Sequence, residues 1–294
     1  MLVGLDCGHG MFTGGKRTPI FKKDIFIDGK KIISKGECIH ENEWNRAVAK
    51  YCAAALKRNG INYYYTADNT GKEDTPLSTR SKRANNKKCD ILVSFHYNAF
   101  GSCSNFLDRK GGLLVLRTKN CSNNSIKLGN LIAEELEKNI DYKYSYGLKK
   151  DVDISGFTLA ILKQTNMPSV LVEYGFMDVY HEAVLMRDIK HQKKCGEATA
   201  KAICKYFSIK FKNENESEKD QPKEDKFQIK VLVDNLSIRK VADWNATPVS
   251  KVNKGQYLEV IDTVQAKNGD TKMYQLESKL YITSSSKYVQ KIGK

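Results

Sequence analysis

The chain has 294 residues, 40% of them hydrophobic and 28% charged, and its formal net charge is +15 at pH 7. This composition is ordinary for a globular protein, and no stretch approaches the ~20 apolar residues that a membrane helix requires. The excess of basic residues predicts an anionic partner, such as nucleic acid, anionic lipid or an acidic wall polymer. The N-terminus lacks the features of a secretory signal, and the eight cysteines form no C-x-x-C pair. We therefore expect synthesis in the cytoplasm and reduced thiols.

The first part of the chain begins with an apolar strand pattern at residues 2–5, which runs into a glycine-flanked histidine, His9. Residues 11–37 form a long polar and glycine-rich insertion. Within it, an Asp-Gly pair at 28–29 between two short β-rich runs predicts a type I′ hairpin. Apolar residues then recur at three- and four-residue spacing over residues 42–59, which predicts a helix.

A second apolar run, at residues 91–98, ends in His96 and is typical of a strand that is buried on both faces. Similar patterns continue the alternation of strands and helices through residue 207. This alternation predicts an α/β fold, with a mostly parallel twisted sheet and helices on both faces. The other predicted elements are strands at 61–65, 113–116 and 169–173, helices at 79–89, 126–136 and 180–207, and a loop that contains Gly147 and Gly156.

The last third of the chain has a different texture. Residues 210–226 are almost all polar or charged, which predicts a flexible linker after a first domain at 1–209. Short β-rich runs follow in residues 227–294, and they predict a small all-β barrel. This segment carries 11 Lys and Arg residues against 6 Asp and Glu residues, a difference of +5 that suits an anionic polymer.

Three strand ends in the first domain carry groups that can do chemistry, namely His9, His96 and Glu173. The carboxyl ends of parallel strands share one edge of a sheet, so we expect these groups to meet. Catalytic zinc commonly takes three protein ligands and leaves one position for water, and the two histidines can supply two of the three. The residues that compete for the third position are Glu37, His40, Glu41 and Glu43.

Glu173 closes an apolar strand, so partial burial should raise the pKa of its carboxyl group. A raised pKa suits a general base that takes a proton from zinc-bound water and passes it to a leaving amine. The alternative is a structural carboxylate that caps a helix or pairs with a cation, and each histidine taken singly has a structural explanation as well. Convergence of several such groups on one edge favours an active site.

Several segments together resemble the zinc-dependent N-acetylmuramoyl-L-alanine amidases of the amidase-3 type. The resemblance implies that His9, Glu41 and His96 bind Zn²⁺ and that Glu173 is the catalytic acid/base. It selects Glu41 because of its four-residue spacing to Asn45. The segments are Asp-Cys-Gly-His-Gly at 6–10, Glu-x-x-x-Asn at 41–45, Leu-Ser-Thr-Arg at 77–80 with Ala-Asn at 84–85, Ser-Phe-His-Tyr-Asn at 94–98, and Pro-Ser-Val-Leu-Val-Glu-Tyr-Gly-Phe at 168–176.

Three further residues of this domain carry expectations. Cys7 stands where the family usually has proline, and its thiol is a competing ligand if it points at the metal. Arg80 precedes a strand that carries a ligand, and we expect it either to contact an acidic part of the substrate or to form a structural pair. Asn98 follows the same strand and is a second candidate for a substrate contact.

The C-terminal segment resembles a bacterial SH3-type wall-binding domain, by the runs at 236–240 and 252–260 and by Tyr288-Val289. Together with the absence of an export signal, the two resemblances imply an endolysin of a phage or prophage of a Gram-positive, clostridial-type host. Such an enzyme accumulates in the cytoplasm and reaches the wall through a holin. A host autolysin is the alternative.

The predicted reaction is hydrolysis of the amide bond between N-acetylmuramic acid and the L-alanine of the peptidoglycan stem. One alternative is a zinc endopeptidase or carboxypeptidase that acts within the stem. Another is a non-catalytic basic protein that binds nucleic acid, against which the chain lacks a clear base-stacking motif. We expect peptidoglycan of a Gram-positive wall as the partner, with neither nucleic acid binding nor membrane insertion.

Overall fold

A computed structural model describes residues 1–214, 227–267 and 271–292 of the chain. The chain divides into two compact units, Met1–Asn213 and Glu214–Lys294, and each is described by itself. In the parts of the chain that are described, no helix is long and apolar enough to cross a membrane.

The first unit is built on a six-stranded mixed sheet in the order β4-β1-β5-β8-β6-β7. The four strands from β4 to β8 run parallel, whereas β6 runs antiparallel to β8 and pairs in parallel with β7. A separate hairpin, β2–β3, lies in the long insertion. The strands are β1 (Leu2–Cys7), β2 (Ile25–Ile27), β3 (Lys30–Ile33), β4 (Asn62–Tyr65), β5 (Ile91–Asn98), β6 (Leu113–Arg117), β7 (Ser145–Lys150) and β8 (Ser169–Phe176).

Helices cover both faces of this sheet, which confirms the predicted α/β architecture. One apolar layer lies under α1, α3 and α7, and a smaller one lies under α2 and α5. Because β5 and β8 are buried on both faces, they read as nearly continuous apolar runs in the sequence. The helices are α1 (Glu41–Arg58), α2 (Leu77–Asn86), α3 (Asn123–Asn139), α4 (Asp151–Ser155), α5 (Ala160–Lys163), α6 (Tyr180–Leu185) and α7 (Ile189–Tyr206).

Three details of the prediction can be compared directly with the structure. The hairpin is confirmed, since Asp28 and Gly29 both have positive φ angles, of 49° and 74°. The loop expected around Gly147 is instead strand β7, whose alternation is weak because its residues are half-buried at the sheet edge. The single helix expected over 180–207 is divided into α6 and α7, and the Asp188 side chain caps the second helix by accepting from the Lys190 N–H at 2.8 Å.

The second unit is a seven-stranded antiparallel sheet in the order β11-β10-β14-β13-β12-β9-β15. Its apolar core is separate from that of the first unit and includes Ile229, Val260 and Ile282. One strand, β11, carries four exposed residues out of five and was missed because it has no apolar alternation. The strands are β9 (Phe227–Val231), β10 (Leu236–Arg239), β11 (Pro248–Val252), β12 (Tyr257–Gln265), β13 (Lys272–Leu276), β14 (Tyr281–Thr283) and β15 (Val289–Ile292).

The predicted linker falls mostly outside the described residues, at 215–226. The residues just before that stretch pack on the first unit. The Arg58 Nε–H donates to the Lys212 carbonyl at 3.0 Å, the Lys212 N–H donates to Asn59 at 2.6 Å, and Phe211 packs against the core.

Candidate active site

The candidate site lies at the carboxyl ends of the parallel strands β1, β5 and β8. Cys7, the last residue of β1, pairs with Phe95 of β5, and His96 of β5 pairs with Glu173 of β8. His9 follows β1 by two residues. The strand register therefore brings together the three groups that the sequence places at strand ends.

Glu41, the first residue of α1, completes a cluster with the two histidines. The Nε2 atom of His9 lies 3.4 Å from Glu41 Oε2, and the Nδ1 atom of His96 lies 2.9 Å from Glu41 Oε1. One ligand atom from each of the three residues lies within 4.8 Å of the others. Ligands about 2 Å from a tetrahedral zinc ion are about 3.3 Å apart, so the cluster fits a single ion.

The backbone around His9 is held in a sharp turn that points its ring at the cluster. His9 has a φ of 60°, in the left-handed region. The Gly8 N–H donates to the Phe95 carbonyl at 3.1 Å, and the Asn42 amide donates to the carbonyls of Gly8 and His9 at 2.9 and 2.7 Å. A Cβ atom on Gly8 would lie 2.2 Å from Cε1 of His96, so only glycine leaves room for that ring.

The structure separates the four candidates for the third ligand. Glu37 and Glu43 both pair with Arg187, at 3.1 and 2.8 Å, away from the histidines. His40 precedes α1 and lies outside the cluster. Glu41 is the candidate that lies beside both histidines.

The three residues of the cluster shift one another's pKa values. Burial raises the pKa of Glu41, but the imidazoles of His9 and His96 outweigh burial and bring that pKa below its usual range. Burial lowers the pKa of His9 to about 4, so its ring is neutral near pH 7 and can act as a ligand. Burial also disfavours the charged form of His96, yet the hydrogen bond to Glu41 raises the pKa of His96 above its ordinary value.

Two buried carboxylate oxygens in this region have no hydrogen-bond partner among the described residues, namely Oε2 of Glu41 and Oε2 of Glu173. Unpartnered buried carboxylate oxygens are costly unless a cation or a proton satisfies them. Burial raises the pKa of Glu173 to about 7, the range in which a carboxyl group both accepts and donates protons near neutrality.

Two of the other residues singled out in the sequence have structural roles. Arg80 is only 2% exposed and donates to the carbonyls of Thr75 and Cys7 and to Asp74, contacts that fit the structural alternative, and its contact with substrate stays a prediction. Cys7 lies in the apolar core beneath α1, where burial raises the pKa of its thiol. It is not part of the cluster.

Asn98 lies two residues after His96 at a bulge of β5, and its side chain accepts from the Ala99 N–H at 2.8 Å. It is half-buried, and its contact with substrate stays a prediction.

Two residues near the site were not found in the sequence. Asn42 holds the His9 turn, but an asparagine inside a helix gives no signal of its contact with a distant loop. Lys16, in the long insertion, accepts from the Glu41 N–H through its carbonyl at 2.9 Å. Burial has the largest effect on the pKa values of Glu41 and Glu173, and the positive charge of Lys16 has a smaller, lowering effect on both.

A His-Glu-His cluster beside a buried carboxylate, at the edge of a parallel-rich sheet, is an arrangement typical of metal-dependent hydrolases. Comparison with known proteins identifies the family. The sequence profile of the N-acetylmuramoyl-L-alanine amidases matches residues 3–205, and the chain belongs to this family of peptidoglycan-cleaving enzymes.

Similar proteins include both phage and bacterial enzymes. The chain is 30% identical to the endolysin of Bacillus phage SPP1, over 98% of this chain and 97% of that protein. It is 27% identical to the germination-specific N-acetylmuramoyl-L-alanine amidase of Bacillus subtilis, over 71% of this chain and 81% of that protein. The prediction of an amidase of the endolysin family is confirmed.

Solved structures share the fold of the first unit. The catalytic domain of the amidase CwlV from Bacillus (Paenibacillus) polymyxa var. colistinus has a TM-score of 0.54 at 21% identity and covers 71% of this chain and 99% of that chain. An N-acetylmuramoyl-L-alanine amidase of Nostoc punctiforme has a TM-score of 0.55 at 24% identity and covers 71% of this chain and 97% of that chain.

Proposed function

We propose that the first unit is a zinc-dependent amidase in which His9, Glu41 and His96 hold the metal and Glu173 is the catalytic acid/base. The observation that carries the proposal is the meeting of two imidazoles and a buried carboxylate within 4.8 Å, with Glu41 Oε2 left without a hydrogen-bond partner among the described residues. Two nitrogens and one oxygen form a ligand set that zinc prefers in hydrolytic sites.

A bound zinc ion supplies a Lewis acid that polarises the scissile carbonyl and activates water at neutral pH. The protein residues position this chemistry. Glu41 is locked by the Tyr97 N–H, which donates to its Oε1 atom at 3.2 Å, and it lies at the N-terminus of α1, where the helix dipole favours a negative charge. Such support keeps a ligand oriented before the ion binds.

Glu173 is suited to move the proton. Its carboxyl group lies beside His96 in the strand register, and its pKa of about 7 lets Oε2 take a proton from the attacking water and return it to the leaving L-alanine nitrogen. Burial is the main cause of the raised pKa, so the buried strand β8 contributes to the proton-transfer role of Glu173.

We further propose that the second unit is an SH3-like barrel that binds the wall of a Gram-positive host. Its short antiparallel strands and separate core support a self-contained module, and the +5 charge of residues 227–294 suits an acidic wall. Similarity to the SPP1 endolysin along nearly the whole chain supports a role in phage lysis, with release from the cytoplasm through a holin.

The test uses two substitutions with different expected effects. Glu173→Gln should keep zinc but lose wall lysis, by roughly 10²-fold or more, because only the proton carrier is removed. His96→Ala should lose both zinc and lysis. Metal content is measured by elemental analysis, and lysis by the turbidity of purified walls.

Mass spectrometry of the digested wall identifies the bond that is cut. An amidase releases intact stem peptides that begin with L-alanine, whereas an endopeptidase or carboxypeptidase releases a distal fragment and leaves a shortened stem on the glycan. Lysis that survives prolonged chelation would exclude the metal mechanism, and Glu173→Gln with full activity would exclude the proposed proton carrier. Glu43→Gln is the matched control, because Glu43 pairs with Arg187 away from the cluster.

A further inference from the structure

The second unit contains a groove of about 840 Å³ that the catalytic reaction does not use. It is lined by residues 233–237 and Arg239, and by residues 283–286 with Tyr288. Trp244 and the start of β13 complete the lining. A concave surface of this size with a few convergent polar groups is typical of a ligand site.

Two aromatic rings, those of Trp244 and Tyr288, form part of the apolar surface of the groove. The indole N–H of Trp244 donates to the Thr271 hydroxyl at 2.9 Å, which fixes the ring. The Tyr288 side chain is 43% exposed, while its backbone N–H donates to the Ser285 carbonyl at 3.0 Å. Fixed and partly exposed aromatic rings offer flat surfaces for stacking at little cost in conformational entropy.

The polar lining of the groove includes two cationic side chains, Arg239 and Lys272. The guanidinium of Arg239 lies 5.5 Å from the Trp244 ring, and its buried Nε atom has no hydrogen-bond partner among the described residues. Lys272 likewise has no ion pair within that part of the chain. The acid of the groove, Asp234, accepts from the Lys254 N–H at 3.1 Å. Two cationic side chains, Arg239 and Lys272, and one carboxylate, Asp234, therefore give the lining a net positive charge.

We propose that this groove binds a sugar-phosphate polymer of the cell wall, with a sugar face on the aromatic rings and a phosphate between Arg239 and Lys272. A guanidinium group matches the geometry of phosphate. An arginine stacked on an aromatic ring is also held in position for that contact. The +5 charge of residues 227–294 favours a repeating polyanion over the peptidoglycan strand itself. The inference rests on the proposed wall-binding role of this unit and names its ligand.

The experiment measures binding of the full chain to purified walls, in a Glu173→Gln background that limits digestion. One batch of walls keeps its phosphate polymer, and a second batch is stripped of it by hydrofluoric acid. The groove variants are Lys272→Gln alone and Arg239→Gln with Lys272→Gln. The matched control is Lys251→Gln with Lys279→Gln, which removes the same two charges from exposed positions outside the groove.

We expect the double groove variant to bind intact walls roughly tenfold more weakly or worse, and the control to bind nearly as well as the parent. Stripping the walls should lower binding of the parent to the level of the groove variant. Because Arg239→Gln removes the partner of Trp244, the exposed Lys272→Gln change alone must also weaken binding, and circular dichroism verifies the fold.

Each other outcome overturns the proposal in a distinct way. Equal loss in the control would indicate general charge attraction and no groove site. Groove-dependent binding that persists on stripped walls would make peptidoglycan the ligand. Failure of the parent to bind any wall would refute the wall-binding role itself. This outcome is distinct from failure of the groove proposal alone, because neither the parent nor the groove variants would then bind.

Discussion

The residue that most directly limits the geometry of the site is a glycine rather than a ligand. A Cβ atom at position 8 would lie 2.2 Å from the His96 ring, closer than any real contact. We therefore expect Gly8→Ala to push His96 away from Glu41 and to lower both zinc affinity and lysis by at least about tenfold. Calorimetric zinc titration and turbidity assays measure the two effects.

Gly14→Ala is the control for this substitution. Position 14 lies six residues further on, in the insertion at 11–37, and a Cβ atom there meets nothing within 4 Å. Zinc affinity should be unchanged in this variant. A Gly8→Ala protein with parental zinc affinity would show that the His96 ring can shift without cost, and that the ligand geometry is less restricted than the contacts indicate.

A second residue, His191, makes the folding stability of the first unit depend on pH. His191 of α7 is buried and lies with its ring 5.5 Å from that of Trp44. Burial lowers the pKa of His191 to about 4, which outweighs the opposing effect of Asp188. Because the unfolded chain binds the proton near pH 6.5 and the folded chain does not, folding stability falls as the pH drops from about 6.5 to about 4.

The expected loss of unfolding free energy from this one group is about 3 kcal/mol across that window. In His191→Gln the loss should be absent, so the variant gains on the parent as the pH falls. Urea unfolding in a Trp244→Phe background, followed by the fluorescence of Trp44, measures the first unit alone. Parallel pH curves for the two proteins would contradict a neutral His191 in the folded state.

The sequence predicted single residues well where a strand fixed their position. His96 and Glu173 are neighbours because strand register fixes them, and the register follows from two apolar runs. Arg80 was ambiguous, since a charged residue before a strand gives no sign of whether it is buried. Its role depends on Thr75 and Cys7 carbonyls that only the folded chain brings near.

At the scale of elements, α1 carries Glu41, and its position depends on close packing against α7. A Cβ atom on Gly196 of α7 would lie 2.5 Å from Cβ of Tyr51 and 2.8 Å from the Val48 carbonyl oxygen. These are atoms of or next to the α1 backbone, so they cannot move aside. We expect Gly196→Ala to lower the unfolding free energy by about 1–3 kcal/mol, measured by urea unfolding.

Gly129 of α3 provides the matched comparison. A Cβ atom there meets Cδ1 of Leu148 at 2.5 Å, which is the tip of a flexible side chain on β7. The gain in helix preference, about 1 kcal/mol, should offset the movement of that side chain. Equal destabilisation by both substitutions would show that helix crossing distance is not what requires glycine at position 196.

Elements with strong apolar periodicity were predicted, and those at the edges were not. Helix α1 and strand β5 have long buried stripes that the sequence displays directly. Strand β7 has one exposed and five half-buried residues, and β11 is mostly exposed, so neither gives a period-2 pattern. The antiparallel direction of β6 was also not indicated, because pairing direction depends on connections rather than on composition.

At the scale of the whole molecule, the two units have separate apolar cores. The change of texture after residue 207 predicted two domains, since a charged stretch cannot bury enough surface to order itself. Composition could not predict that residues 211 and 212 still pack on the first unit, because those contacts use backbone groups and one aromatic ring.

Because the two units have separate cores, removal of the metal should destabilise the first unit and leave the second unchanged. Zinc bound to the folded first unit but not to its unfolded state should stabilise that unit by about 2.7 kcal/mol when free zinc is 100 times the Kd. Chelation should therefore speed amide hydrogen exchange in β5 by up to roughly 100-fold where exchange requires unfolding. Exchange in β12 of the second unit should stay unchanged, and mass spectrometry of peptides resolves both segments.

The control for this experiment is His96→Ala, in which zinc should give no protection because the cluster loses a nitrogen ligand. Restoring zinc to the chelated parent should restore slow exchange in β5. If β12 responded to chelation as strongly as β5, the two units would unfold together in spite of their separate cores. If neither segment responded, the cluster of His9, Glu41 and His96 would not be a metal site that stabilises the fold.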